Sequence, residues 1–261
     1  MKKTLFGLAL AVLLLGGCAA PNVAYFYDFE NGAVQPTGER LEIRLKPQDK
    51  ISIVVNSRDP QLSTMFNLPI YSMRMGSSSG LGGQYMSGYT IDSEGCIDFP
   101  ELGKIKIEGM RREDVAATIK EQLLERNFLK DAVVTVEYAN LGFNVLGEVA
   151  HPGRFSFDRD CLTLLDAISM AGDLSIQGKR ADILVMRQQD DGSRITYRLD
   201  LQNGDELLQS PAFYIQQNDV IYVEPNAYRS RQTTVNGNNI LSASFWISVT
   251  SLVASIVNMI I

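Results

Sequence analysis

The chain has 261 residues, of which 45% are hydrophobic and 21% charged, and its formal net charge is −6. This length allows one large domain or two modest ones. The acidic balance argues against a general nucleic-acid binder. A single histidine argues against a zinc hydrolase or a Ser-His-Asp enzyme, and three cysteines are too few for a disulfide scaffold. We therefore expect neither an enzyme nor a cofactor or metal site.

The first eighteen residues have the pattern of an export signal. Two lysines precede an apolar run of signal-peptide length. The motif Leu15-Gly16-Gly17-Cys18 then resembles the lipobox of bacterial lipoproteins, which implies cleavage before Cys18 and acylation of that cysteine. We predict a signal peptide at residues 1–17 and a mature formal charge of −8. Ala19 favours the outer membrane, since an aspartate at that position is linked to retention in the inner membrane. The alternative is an ordinary secretory signal with a chance cysteine.

The next part of the chain begins without periodicity. Residues 18–42 predict an extended, lipidated tether. From Ile43 onwards the sequence predicts a strand, a Pro-Gln-Asp-Lys turn and a second strand that ends near Val55. Residues 57–88 are rich in Met, Gly and Ser and predict a long loop.

Residues 89–138 have the pattern of a small mixed domain. Asp92 and Gly95 mark a turn that is followed by two short strands. Residues 111–126 predict a helix and residues 132–138 a strand. The helix repeats apolar residues at a spacing of four, and those that we expect in the core are Val115, Ile119 and Leu123.

Turn and cap signals organise a second mixed domain. Gly147, Pro152 and Gly153 predict turns beside its first strands. Thr163 and Asp166 are spaced as a capping box, and Gly172 is placed to end that helix in left-handed geometry. The Asp190-Asp191-Gly192 turn predicts a hairpin between residues 183–188 and 194–199.

Several residues invite a chemical interpretation that their context does not support. His151 lies before Pro152-Gly153 and has no second histidine or cysteine nearby, so we interpret it as a turn residue. The paired acids Asp158 and Asp160 lack catalytic context and are interpreted as solvated loop acids. Cys96 and Cys161 fall in different predicted domains, which favours two buried free thiols over a disulfide.

The last 22 residues, 240–261, contain no charge, proline or glycine. A helix of that length is about 33 Å long, enough to cross the hydrocarbon core of a bilayer. At about 100° per residue, five polar residues fall within an arc of ~80° and apolar residues cover the rest. The five that we predict to line a lumen are Ser244, Ser248, Ser251, Ser255 and Asn258.

Three interpretations of this polar stripe compete. In the first, several copies form a ring whose stripes face a water-filled lumen and whose apolar faces meet lipid. In the second, the serines are small contacts that let helices pack closely. In the third, the helix is buried in a soluble core. We favour the lumen because the stripe is narrow and uncharged.

The middle of the chain resembles a known family. The stretch YTIDSEGCIDFPELGKIKIEGM, with an Asp-x-x-Gly hairpin and a Pro-x-x-Gly turn, resembles the polysaccharide export domain of Wza-type outer-membrane polysaccharide export (OPX) lipoproteins. The later stretches FNVLGEVAHPGRFSF, LTLLDAISMAGDL and YIQQNDVIYVEP resemble an SLBB domain of the β-grasp type. Together these stretches lie within residues 43–225.

The resemblance implies an α+β protein with an export domain at residues 43–140 and an SLBB domain at residues 141–227. A hinge and a membrane-spanning amphipathic helix follow at residues 228–261. It also implies a homo-oligomeric ring of about eight copies in the outer membrane, with the bulk of each chain in the periplasm. An inner-membrane polysaccharide co-polymerase, often with a tyrosine-kinase domain, is the implied partner.

Export of capsular or exopolysaccharide by passive conduction through the ring is the function that we predict from this resemblance. The chain departs from the best-known members in having room for one SLBB domain and in carrying the insertion at residues 57–88. The alternative function is a periplasm-facing glycan-binding or scaffold lipoprotein, held by acyl chains and a C-terminal helix.

Overall fold

A computed structural model describes residues 23–32, 34–68, 88–189, 191–234, 237 and 239–260. Within these residues the chain forms two α+β domains, as the sequence predicts. The predicted signal peptide, the predicted lipidation site Cys18 and residues 69–87 of the predicted loop lie outside the described residues.

The first domain combines a small sheet, a separate hairpin and two helices. Its elements are β1 (Lys50–Asn56), α1 (Pro60–Phe66), β2 (Tyr89–Thr90), β3 (Cys96–Phe99), β4 (Gly103–Lys106), α2 (Arg112–Glu125) and β5 (Val133–Tyr138). The sheet is antiparallel in the order β2-β1-β5, β3 pairs with β4, and α2 packs against β5. This arrangement encloses one hydrophobic core.

Helix α2 turns one apolar face into that core. Val115, Ile119 and Leu123 are each 0% exposed, so the predicted periodicity is confirmed. Side chains of this size contribute about 1.5–3 kcal/mol each when fully buried. At the start of the helix the carboxylate of Asp114 accepts a hydrogen bond from the backbone N–H of Arg111 at 3.2 Å. That contact satisfies an amide that has no partner within the helix.

The prediction of a strand that begins at Ile43 is wrong. The chain from Leu41 to Lys46 has no regular secondary structure, although Ile43 and Leu45 are buried. The backbone N–H of Leu45 donates to Met110 O at 3.0 Å, and Gly109 N–H donates to Leu45 O at 2.8 Å. These bonds join two irregular segments, so the alternating pattern reflects burial without a strand.

The predicted loop at residues 57–88 also begins differently, because α1 lies within it. The carboxylate of Asp59 caps this helix by accepting from the backbone N–H of Gln61 at 3.0 Å and of Leu62 at 3.4 Å. Pro60 occupies the first turn, where its missing N–H costs nothing. The Met, Gly and Ser content of the later loop residues concealed this short helix.

The second domain has a five-stranded sheet at its centre. Its elements are β6 (Gly142–Gly147), β7 (Gly153–Ser156), β8 (Leu162–Thr163), α3 (Leu164–Met170), β9 (Gly178–Gln188), β10 (Arg194–Leu199), α4 (Gly204–Gln209), β11 (Tyr214–Ile215) and β12 (Val220–Pro225). The sheet order is β10-β9-β12-β6-β7, with β12 and β6 parallel and the other pairs antiparallel. Strands β8 and β11 form a separate pair.

The predicted capping box of α3, the glycine that ends this helix and the glycine of the β9–β10 turn are confirmed, whereas Gly147 and Gly153 lie at strand ends. Thr163 Oγ1 accepts from the backbone N–H of Asp166 at 3.1 Å, and the carboxylate of Asp166 accepts from Thr163 N–H at 3.0 Å. Gly172 follows α3 with φ of +78°, and Gly192 forms the β9–β10 turn with φ of +82°. These glycines adopt the left-handed conformation that other residues reach only at a cost.

The predicted tether is packed against the second domain along part of its length. Tyr25 and Phe26 contact the core of that domain, and Phe26 N–H donates to Leu201 O at 3.1 Å. The carboxylate of Asp28 accepts from the backbone N–H groups of Gly204 and Asp205, at 2.9 and 3.1 Å. We call residues 23–32 the strap.

The C-terminal part of the chain leaves the second domain through α5 (Ala227–Arg231). A short 3-10 helix (Asn239–Leu241) then precedes α6 (Ala243–Ile260), which has 18 residues and is about 27 Å long. No helix in the described part of the chain has the length and apolarity needed to cross a membrane. The membrane-spanning helix predicted at residues 240–261 is therefore not supported.

Candidate functional site

Helix α6 presents the polar stripe that the sequence predicts. All five predicted lumen residues lie on this helix and are exposed. Ser248 Oγ donates to Ser244 O and Ser255 Oγ donates to Ser251 O, each at 2.9 Å. Because these hydroxyl hydrogens are bound to the helix, the oxygen lone pairs remain as acceptors along the stripe.

The apolar remainder of α6 is exposed as well. Trp246 is 54% exposed, Leu252 62% and Val253 54%. A helix buried in a soluble core would have these side chains covered, so the core interpretation is not supported. An exposed apolar surface of this extent is typical of a helix that meets a partner or a lipid phase.

The start of α6 is held by two local hydrogen bonds. The indole Nε1–H of Trp246 donates to Ile240 O at 2.8 Å, and Phe245 N–H donates to Ser242 Oγ at 3.3 Å. The rings of Phe245 and Trp246 meet edge to face with centroids 5.7 Å apart. These contacts join the 3-10 helix to α6 and fix the first turn of the stripe.

The predicted Asp92–Gly95 turn connects β2 to β3. The carboxylate of Asp92 accepts from the backbone N–H of Cys96 at 2.8 Å and of Glu94 at 2.9 Å. The Cys96 bond, followed by the Glu94 bond and nearby Lys104, lowers the pKa of Asp92. Gly95 has φ of +78°, so the turn requires glycine. These groups hold the turn in place and do not form a catalytic arrangement.

The other predicted turn residues divide into one essential glycine and two ordinary positions. Gly147 has φ of +91°, and a Cβ there would lie 2.0 Å from Val223 O in the neighbouring strand. Gly153 begins β7 opposite Val145, and a Cβ there would meet nothing within 4 Å. Pro152 precedes β7 and shapes the turn through its fixed φ.

The residues that were considered for metal binding or disulfide formation have structural roles. The backbone N–H of His151 donates to Ala171 O at 2.9 Å, and the residue lies in a bend between β6 and β7. Cys96 and Cys161 are free and only partly buried, so they are thiols but not the core thiols expected. Among the described residues no group of three or more His, Cys, Asp or Glu could hold a metal ion.

The two domains meet at a junction that the sequence analysis did not predict. Arg112 Nη2 lies 2.6 Å from Asp160 Oδ2, and its guanidinium lies 5.9 Å from the ring centre of Tyr138. Tyr138 donates to Ile43 O at 3.3 Å, and burial raises the pKa of Tyr138 to about 12. Lys50 N–H donates to the side chain of Asn140 at 2.7 Å. Local periodicity carries no signal for contacts between such distant residues.

A buried ion pair lies in the second domain. Arg187 binds both carboxylate oxygens of Asp219, with Nη2 to Oδ2 at 2.7 Å, and Asp219 is 0% exposed. The same guanidinium donates to Pro211 O at 3.1 Å and Tyr214 O at 2.7 Å. Burial raises the pKa of Asp219, and Arg187 opposes that rise.

Comparison with known families agrees with this architecture. Residues 38–139 match a family model described as polysaccharide biosynthesis/export protein, and residues 142–223 match an SLBB domain model. Together the two matches cover well over half of the chain. The chain belongs to the polysaccharide export protein family. That family is one of transport, which supports the expectation that the protein is not an enzyme.

Two curated relatives extend the comparison. An EPS I polysaccharide export outer membrane protein EpsA from Ralstonia nicotianae (strain ATCC BAA-1114 / GMI1000) is 33% identical over 154 residues, 56% of this chain and 39% of the relative. The protein of the same name from Ralstonia solanacearum is 32% identical over 152 residues, 55% of this chain and 38% of the relative. The matched region therefore spans about two fifths of each relative.

Proposed function

We propose that this export-family protein is a subunit of an oligomeric outer-membrane channel that carries capsular or exopolysaccharide from the periplasm to the cell surface. The observation that carries the proposal is α6, a helix with one narrow polar stripe that no other described residue of the chain covers. Outer-membrane location and a polysaccharide substrate follow the names of both relatives.

In the proposed ring, copies of α6 stand side by side with their stripes toward the centre. A ring hides each polar stripe from the apolar phase and gives each apolar face a place outside. The path for the polysaccharide is then a property of the assembly, because a single helix encloses no lumen. Closed rings form when the same pair of surfaces repeats around an axis.

The chemistry of the stripe suits passive conduction. Serine and asparagine accept hydrogen bonds from sugar hydroxyls and from water without adding charge. The back-bonded hydroxyls of Ser248 and Ser255 offer acceptors in fixed positions. Exchange between equivalent neutral acceptors lets a hydrated chain move, whereas a strong binding site would hold it.

Acylated Cys18 anchors the chain to the membrane in this proposal, and the strap links that anchor to the second domain. An inner-membrane polysaccharide co-polymerase delivers the polysaccharide to the periplasmic end. Two anchoring signals, acyl chains and an amphipathic helix, hold a protein at a membrane more stably than one.

The test places bulk in the proposed lumen. Ser248→Trp/Ser255→Trp fills the stripe, and Val253→Trp/Ile256→Trp adds the same bulk to the outer face as a matched control. We expect at least about tenfold less surface polysaccharide for the stripe variant, with normal ring assembly, and normal export for the control. Native electrophoresis and surface-glycan immunoblotting measure the two properties. Normal export by the stripe variant contradicts the proposal.

Deletion of residues 240–261 separates the channel from a scaffold. A scaffold lipoprotein held by Cys18 retains its function without these residues, whereas a channel subunit loses export. Retained export in the deletion variant therefore favours the scaffold and rejects the conduction path through α6.

A further inference from the structure

A large apolar side chain projects from the second domain at one end of its central sheet. Ile176 is 77% exposed, which makes it the most exposed large hydrophobic residue of this domain among those that the structure describes. It lies in residues 173–178, between α3 and β9, which we call the Ile176 loop. Single exposed aliphatic residues are common on protein surfaces, so exposure alone does not identify a docking surface.

The backbone of the Ile176 loop is fixed by hydrogen bonds from two sides. Ser175 donates twice to Glu148, from its backbone N–H to the carbonyl oxygen and from its hydroxyl to Oε2, each at 2.9 Å. Arg180 Nη1 donates to Gly178 O at 3.0 Å and to Ser175 O at 3.3 Å. The exposed side chain of Ile176 is therefore presented from a backbone with a defined conformation.

Helix α5 continues the exposed surface beside the loop. The backbone N–H of Asn226, which precedes α5, donates to Gln177 O at 2.7 Å. On α5, Tyr228 is 52% exposed, and Arg229 Nε lies 3.0 Å from Glu148 Oε1. Glu148 thus binds both the loop and α5. An aliphatic residue, a tyrosine and an arginine on adjacent elements are typical of a surface that meets a membrane–water interface.

The start of the strap lies against the same loop. Tyr25 Oη donates to Asp173 Oδ1 at 2.5 Å, and the guanidinium of Arg180 lies 5.7 Å from the centre of the Tyr25 ring. Cys18 precedes Tyr25 by seven residues, which span at most about 25 Å when fully extended. An acyl chain on Cys18 therefore keeps the Ile176 loop close to the membrane surface.

We propose that the Ile176 loop and α5 form a membrane-contacting surface, with the Ile176 side chain inserted at the boundary between the headgroups and the acyl chains. The proposal rests on the proposed function, from which it takes the acylation of Cys18 and the outer-membrane location. Insertion removes an apolar side chain from water. It also orients the second domain, because Gly178 begins β9 at this end and Gln188 ends it about 30 Å away.

The test measures lipid contact at position 176 by fluorescence quenching in the full-length protein extracted from membranes. Ile176→Trp is made in a Trp246→Phe background, so that the introduced indole is the only one in the chain. The protein is reconstituted into vesicles of phosphatidylethanolamine and phosphatidylglycerol, with or without brominated phosphatidylcholine, which quenches indoles that contact acyl chains. Ile195→Trp is the matched control in the same background, because Ile195 is 39% exposed and pairs with Arg187 near the far end of β9.

We expect brominated lipid to lower the fluorescence of Ile176→Trp at least about twofold, since the indole then lies at the headgroup–acyl boundary, and to leave Ile195→Trp unchanged. Acrylamide, a quencher dissolved in water, shows the reverse preference. Quenching of Ile176→Trp by acrylamide alone places the loop in water, and quenching by neither agent places it against protein. Both results overturn the proposal, and both leave the channel proposal standing because export depends on the stripe of α6.

Two further measurements separate this proposal from failures of folding or of membrane location. The circular dichroism spectrum checks that each variant is folded, and Tyr228→Trp on α5 is a second reporter that we expect to be quenched in the same way. Flotation with the vesicles checks attachment, and protein that does not float contradicts both the outer-membrane location and this surface. Conversely, normal export by Ser248→Trp/Ser255→Trp rejects the channel without changing the quenching at position 176.

Discussion

Replacement of Arg187 by methionine is the sharpest test of what holds the second domain together. Arg187→Met keeps much of the side-chain volume and removes the guanidinium from a carboxylate that is 0% exposed. It also removes the donors to Pro211 O at 3.1 Å and Tyr214 O at 2.7 Å. The variant therefore leaves one buried charge and two carbonyl groups without this partner.

The expected cost follows from these contacts. Removing one member of a buried ion pair costs about 3–5 kcal/mol, because the remaining charge is desolvated and unpaired. At about 1.4 kcal/mol per tenfold, 3 kcal/mol corresponds to a change of about 100-fold in the opening equilibrium. Asp182→Asn is the matched control, since Arg198 and Asp182 also form a pair but the Arg198 side chain is 60% exposed. An exposed pair contributes about 0–1 kcal/mol.

Amide hydrogen exchange of the full-length protein, followed by mass spectrometry, measures the effect where it occurs. We expect peptides from β9 and β12 to exchange at least about 100-fold faster in Arg187→Met, with little change in the control. We expect the loss of stability in Arg187→Met to be smaller at lower pH. Burial raises the pKa of Asp219, so the folded variant takes up a proton at a higher pH than the unfolded chain, and lowering the pH relieves the orphaned charge. If the β9 and β12 peptides of Arg187→Met exchange no faster than those of Asp182→Asn, this reasoning is refuted.

Two further predictions test the turn at Gly147 and the strap. Gly147→Ala destabilises the second domain, since its Cβ would lie 2.0 Å from Val223 O. In the control Gly153→Ala the added Cβ meets no atom within 4 Å, so this variant lowers the midpoint of thermal unfolding far less. Equal midpoints for the two variants contradict the steric argument. Asp28→Asn accelerates hydrogen exchange of the Gly204 and Asp205 backbone amides at pH 7, because a neutral amide oxygen is a weaker acceptor than a carboxylate. Unchanged exchange of these amides contradicts a stabilising role for the Asp28 carboxylate at the start of α4. The bond from Gly204 lowers the pKa of Asp28, so its contribution is present above the unfolded-state pKa near 3.8 and is lost as the pH falls through the folded-state pKa.

Patterns that repeat over a few residues were sufficient for most of the regular structure. The spacing of Val115, Ile119 and Leu123 predicted α2 and its buried face. The Thr163–Asp166 cap and the glycine after α3 predicted the limits of that helix. Such features depend on neighbours within one or two turns, which a single sequence displays directly.

Contacts between distant residues were not accessible in the same way. Asp28 caps a helix 176 residues further along the chain, and Arg112 meets Asp160 across the domain junction. Neither pair has a local signature, because charged residues in loops look alike whether solvated or docked. The strand expected at Ile43 failed for a related reason, since its buried residues pair with an irregular segment near Met110.

The candidate site was predicted in part. The stripe of α6 follows from helical geometry alone, and the structure adds the back-bonded serines and the exposure of the opposite face. The junction between the domains was not predicted, because Arg112 and Asp160 meet only through the packing of both domains.

Direct imaging of the detergent-solubilised particle along its axis tests the central claim most directly. The channel proposal predicts a closed ring of copies, with the α6 helices around the axis and Ser248 and Ser255 facing the centre. A monomer, an open assembly, or a ring in which these serines face outward contradicts it.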